Sequence, residues 1–77
     1  MEGKIKKIDL TFSQRLEKIM IEQQLFPAQL SKLSGVSRTN IHKYLAGTIQ
    51  PTAFNIKRIS VALNVSADYL LGIVDKK

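Results

Sequence analysis

Residues 25–47 read LFPAQLSKLSGVSRTNIHKYLAG, two short helical patterns that meet at Gly35. At about 100° per residue, Arg38, Thr39, His42, Lys43 and Ala46 fall on one continuous arc of the second pattern. Ile41, Leu45, Tyr44 and Asn40 fill the opposite arc. An apolar arc of this kind is buried against neighbouring helices, whereas a polar one is left facing outward. The ends are marked as clearly as the faces. Pro27 suits a first helical position, where its missing N–H costs nothing. Gly35 is expected in a left-handed conformation that closes this first helix at Ser34. Ser37 is then an N-cap for a helix over residues 38–46, which Gly47 stops.

Working outward, Phe12, Leu16, Ile19 and Met20 recur at i, i+4, i+7 and i+8, the inward stripe of a helix from Phe12 or Ser13 to Gln24. Arg15, Glu17, Lys18 and Glu22 are placed on its outer face. In the helix begun by Pro27, Ala28, Leu30 and Ser31 are placed inward. Thr52 is expected to cap a helix with Ile56, Ile59 and Leu63 turned in, ending near Asn64. Ser66 caps a last short helix, Ala67 to Leu71, that Gly72 ends. No strand pattern or repeat is present. The fold class is therefore all-α, a compact five-helix domain over residues 12–72, with an N-terminal arm at 1–11 and a tail at 73–77. The arm's Lys4, Lys6 and Lys7 offer two readings: contact with a polyanion, or a tail with Ile8 or Leu10 tucked against the body.

A 77-residue chain with 44% hydrophobic residues forms one small domain, and a chain of this size buries about 60% of its unfolded surface. It is too short to add a ligand-sensing domain, and no small-molecule ligand is evident. Cysteine is absent and histidine occurs once, which removes disulfides, thiolate metal sites and cysteine nucleophiles. No cofactor or metal is expected. No apolar run approaches the ~20 residues of a membrane span, and no apolar signal core opens the sequence, so a cytoplasmic protein is expected. No carboxylate pair, nucleophile with its base, or glycine-rich phosphate loop stands out, and no enzymatic role is expected.

The net charge is +6, which favours a polyanionic partner. Its distribution says more than its size. From Gln23 to Ala67 there is no Asp or Glu, while Lys32, Arg38, Lys43, Lys57 and Arg58 lie inside. The major groove of duplex DNA, ~12 Å wide, admits one helix and presents a distinct donor and acceptor pattern for each base pair. Arg38 can fork onto guanine O6 and N7, and Thr39 offers a hydroxyl and a methyl for thymine. His42 and Lys43, one turn on, reach a base edge or a phosphate. Ser37 and the free N–H groups at the helix start suit a phosphate. Asn40, at the border of the arc, suits a backbone contact. Tyr44 is read as a packed aromatic whose hydroxyl can alternatively reach a phosphate; His42 equally fits an inert surface position. Lys57 and Arg58 read as solvated helix charges.

The ordered blocks FSQRLEKI, QLSKLSGVSRTNIHKYLAG, the Pro51-Thr52 helix start and ALNVSADYLLG resemble the phage-repressor and Cro-like helix-turn-helix family, of the xenobiotic-response-element type. The resemblance covers residues 12–72. It implies a lambda-repressor-like DNA-binding domain that places its third helix in the major groove, commonly as a homodimer on paired half-sites. Carried over, Ser37, Arg38, Thr39, His42 and Lys43 occupy its reading positions. The start of the second helix, including Gln29, and the loop after Gly47 occupy its backbone-contact positions. The sequence departs from the family pattern at Phe26 and Pro27, where Ser or Thr followed by Gln is common. It departs again at Thr48, Ile49 and Gln50, where a basic loop is common. Met20 and Leu45 stand where relatives carry an Arg–Glu pair, an exchange of a pair for packed side chains that is often neutral or stabilising.

Ile21, Leu33, Phe54 and Val61 are apolar where that pattern is polar. Phe54 and Val61, seven apart, share one side of their helix. Together with helix 5 and the Ile73-Val74 tail they contribute to a homodimer or contact a partner protein, or they thicken a thin core. The resulting expectation is a sequence-specific, double-stranded DNA-binding regulator of bacterial or phage type, a repressor that occupies an operator. The rival is an antitoxin or accessory module that grips a partner protein through its fourth and fifth helices. RNA binding ranks third, since helix 38–46 offers only Tyr44 for base stacking.

Overall fold

Gly35, Gly47, Asn64 and Gly72 take left-handed conformations, with φ of 78°, 76°, 57° and 84°, and each closes a helix. Between them a computed structural model, which describes residues 9–77, contains α1 (Thr11–Glu22), α2 (Pro27–Ser34), α3 (Arg38–Ala46), α4 (Ala53–Leu63) and α5 (Ala67–Leu71). No strand occurs among the described residues. The hydroxyls of Ser37, Thr52 and Ser66 accept the N–H groups of Asn40, Asn55 and Tyr69 at 3.1, 3.1 and 2.9 Å. Each such cap contributes about 1 kcal/mol. Four of the five helices thus start and stop where local chemistry places them. The exception is α1, which ends two residues short of Gln24. There Gln24 turns left-handed, with φ of 58°, and the Leu25 N–H returns to the Met20 carbonyl at 2.8 Å.

The core is one cluster: Phe12, Leu16, Ile19 and Met20 from α1, with Leu30, Val36, Ile41, Tyr44, Ile59, Leu63, Tyr69 and Leu70 from the rest of the chain. α1 packs on α3 and α5, and α2 packs on α3 and α4, so α3 is held from two sides. Gly47 lets α3 end against α1. A Cβ there would lie 2.7 Å from Leu10 Cδ2, the end of a flexible side chain that must turn aside, so its positive φ carries most of the cost. Leu10 thus lies beside Gly47 but stays 42% exposed, and the Asp9 carbonyl accepts the Gln50 side chain at 3.1 Å. The rest of the expected arm, residues 1–8, lies outside the described residues.

Three sequence expectations are corrected. Ala28, placed inward, is exposed, because the eight residues of α2 bury Leu30 and leave Ser31 half-covered. Ile21, Leu33, Phe54 and Val61 do not thicken the core; they are 68, 60, 68 and 71% exposed. Arg15, placed on the outer face of α1, turns inward. Its guanidinium stacks 4.5 Å from the Tyr69 ring centroid and donates to the carbonyls of Tyr69 and Val74. It also pairs with Asp75 at 3.0 Å. The tail consequently folds back on α1, where Lys77 pairs with Glu22 and its carbonyl accepts the Ser66 N–H at 2.8 Å. That pairing holds the Glu22 carboxyl below its ordinary range and raises the Lys77 amine.

Candidate nucleic-acid interface

The outer arc of α3 is formed as its sequence implies. Ser37, Arg38, Thr39, His42, Lys43 and Ala46 are exposed, while Ile41 and Tyr44 are buried. The Ser37 oxygen takes the Asn40 N–H and the Ser37 carbonyl takes that of Ile41. The N–H groups of Arg38 and Thr39, in the first turn, have no intrahelical acceptor. Beside them stand the exposed side chains of Arg38 and Lys43. A helix start of this kind attracts anions through its dipole and free donors.

The remaining candidates divide. Asn40 is half-buried, at the edge of the arc. Tyr44 is the packed aromatic of the first of its two readings: it is 2% exposed, at right angles to Phe12 with centroids 5.7 Å apart. Its hydroxyl accepts the Asn55 amide at 2.8 Å. Gln29 is exposed, but its side-chain oxygen accepts the Phe26 N–H at 2.7 Å, so it closes the start of α2 from within. Phe26 itself is 73% exposed and Pro27 has no N–H, so this helix start offers fewer donors than α3. Gln50, in the loop after Gly47, is engaged by the Asp9 carbonyl.

Two residues that sequence reasoning passed over hold α3 in place. Ser13 donates to the Leu45 carbonyl at 2.7 Å, and Asn55 reaches the Tyr44 hydroxyl. These contacts span 32 and 11 residues; no local spacing signals them. Met20 and Leu45, read as a packed replacement for an ion pair, line one wall system: an open groove of about 590 Å³ shared with Ile21, Leu25, Phe26 and Pro27.

Charge is segregated over the molecule. Residues 23–67 carry five cations and no carboxylate. Residues 9–22 and 68–77 carry Arg15, Lys18, Lys76 and Lys77 against Asp9, Glu17, Glu22, Asp68 and Asp75. Among the described residues the excess of positive charge is therefore carried by α2, α3 and α4. No cluster of three or more His, Cys, Asp or Glu groups suited to a metal occurs among the described residues.

This arrangement recurs in known proteins. The family model described as Helix-turn-helix matches residues 14–70. The restriction-modification controller protein C.AhdI from Aeromonas hydrophila superposes with a TM-score of 0.75 at 26% identity, over 79% of this chain and 92% of its own. The P22 c2 repressor, solved in complex with a synthetic operator, gives 0.72 at 29% identity over 77% and 89%. The DNA-binding domain of the same repressor in solution gives 0.75 at 29% identity over 86% of each chain. No curated protein sequence matches the chain.

Proposed function

We propose, because the chain belongs to the lambda-repressor-like helix-turn-helix family, that it is a transcriptional regulator that reads duplex DNA through the major groove with α3. Arg38 forks onto a guanine, Thr39 meets a neighbouring base, and Lys43 and His42 reach a base edge or phosphate one turn on. Ser37, Asn40 and the first-turn N–H groups fix the register on the phosphates. Gln29 contributes a backbone contact through the NH2 end that Phe26 leaves unused. Tyr44, 2% exposed, is left out of this contact set. Residues 12–72 constitute the DNA-binding domain, and the mode of action is repression by occupying an operator.

One observation carries this reading: an exposed, cation-bearing arc on a helix whose other face is buried, inside a 45-residue stretch without a carboxylate. Selection of bound fragments from random duplex DNA tests it. A recovered half-site, repeated about 34 Å apart in successive major grooves, is the expected result. Recovery of no preferred sequence would contradict it.

The protein acts as a homodimer on such a site, through apolar residues of α4, α5 and the tail. A second reading, a module that grips a partner protein, is favoured by the same exposed residues, Phe54, Val61 and Ile73, at 68, 71 and 68%. Loss of all duplex preference with retained protein binding would select it.

A further inference from the structure

We infer that Tyr44, Asn55 and Ser13 are positioning residues that set the angle of α3, and that they govern discrimination between sequences more than affinity for DNA in general. This role rests on the reading of α3 proposed above.

A buried aromatic at position 44 needs only a ring to fill its space. Tyr44 is 2% exposed and its ring stands at right angles to Phe12, a contact that a ring without the phenol oxygen would also make. What it adds is direction. The oxygen accepts the Asn55 side-chain amide at 2.8 Å, and a buried Tyr hydroxyl requires such a partner. Asn55 is itself fixed, because its N–H is held by the Thr52 hydroxyl at the start of α4. The bond therefore ties α3 to a rigid point on a second helix. At the adjacent residue, the Leu45 carbonyl lies in the last turn, where intrahelical donors run out. Ser13 of α1 supplies one at 2.7 Å. Two directional bonds, from α1 and α4, thus grip consecutive residues of α3.

The geometry makes this grip matter at the far end. Arg38 lies six residues before Tyr44, about 9 Å along the axis at ~1.5 Å per residue. A tilt of about 10° about the grip moves Arg38 by roughly 1.6 Å, several times the ~0.5 Å tolerance of a recognition constellation. A bidentate contact to one base is lost by such a shift. Attraction of the same cations to the phosphates depends on distance more gently and survives it.

The test compares full-length wild type with Tyr44→Phe, Asn55→Ala, the double variant and Ser13→Ala. Affinities are measured at one salt concentration for the duplex recovered by selection and for a scrambled duplex of equal length. Tyr44→Phe keeps the ring, so it remains readable if Asn55→Ala proves unstable by circular dichroism. Each of Tyr44→Phe, Asn55→Ala and Ser13→Ala should weaken binding to the selected duplex about fivefold, the order of one hydrogen bond. Binding to the scrambled duplex should change less than about twofold and its salt slope should not move. The double variant should be no weaker than the worse single, since both remove one bond. Equal losses on both duplexes, or an unaltered ratio in every variant, would overturn the positioning role. A wild type that prefers no duplex would instead refute the reading of α3, and the positioning role with it.

Discussion

Arg38 is exposed at the first position of α3, next to two free N–H groups and one turn from Lys43. Arg38→Ala is predicted to cost about 1–3 kcal/mol on the selected site and to relax preference at one base position. Lys57→Ala, on α4, should produce a smaller loss shared by all sequences. Titration by fluorescence anisotropy distinguishes them; unchanged affinity for Arg38→Ala would contradict its role. Gly47 and Gly35 offer a second comparison, because their φ values are nearly equal at 76° and 78°. Only Gly47 has a neighbour, Leu10, where a Cβ would go. Gly47→Ala is predicted to lower the melting temperature more than Gly35→Ala, each costing about 1 kcal/mol or more. At this scale the sequence was legible where the chemistry is local. Ser37, Thr52 and Ser66 cap because their hydroxyls meet N–H groups three residues on. Arg15 was misplaced because its partners, Tyr69, Val74 and Asp75, stand 54 to 60 residues away. Helical periodicity assigns a charged residue to the outside, and nothing near Arg15 in sequence argues otherwise.

The helices with marked ends, α2 to α5, were read with nearly their observed limits, while α1, which has a long apolar stripe but no side-chain cap, was read one or two residues off at each end. The eight-residue α2 has too few positions to define a face, and Ala28 went to the wrong side. The tail carries no periodicity, so its return along α1 was invisible before the Arg15 and Lys77 contacts were seen. Arg15→Ala should lower stability by about 1.5–3 kcal/mol, the range for a hydrogen bond made by a charged group. The exposed Lys18→Ala should change it by less than about 0.5 kcal/mol. Thermal melts of both variants check the contrast. The Glu22–Lys77 pair adds a pH dependence. The Glu22 carboxyl is lowered by Lys77, so its contribution is present above the unfolded value and is lost as pH falls through the folded one. The Lys77 amine is raised by Glu22, so its share is complete below the unfolded value and is lost as pH rises through the folded one. Tail amide shifts should therefore be constant near neutrality and move in acid and in strong base. Movement near neutrality would contradict the pairing.

Over the whole molecule the governing feature is separation of charge: five cations on residues 23–67, and near balance on α1, α5 and the tail. The separation was legible in the sequence because burial does not alter it. Affinity for DNA should fall with salt, with a log–log slope of about −0.9 for each phosphate neutralised. The apolar residues left outside, Phe54, Val61 and Ile73, predict self-association at micromolar concentration or on DNA. Sedimentation velocity with and without the selected duplex decides this, and a monomer in both would contradict the dimer. The most direct measurement for the whole account is amide chemical-shift mapping on adding that duplex. Shifts from contact with DNA are predicted to centre on residues 37–43, while shifts at Phe54, Val61 and Ile73 report the pairing of two copies. If residues 37–43 stay silent while the duplex is bound elsewhere, α3 is not the reading helix.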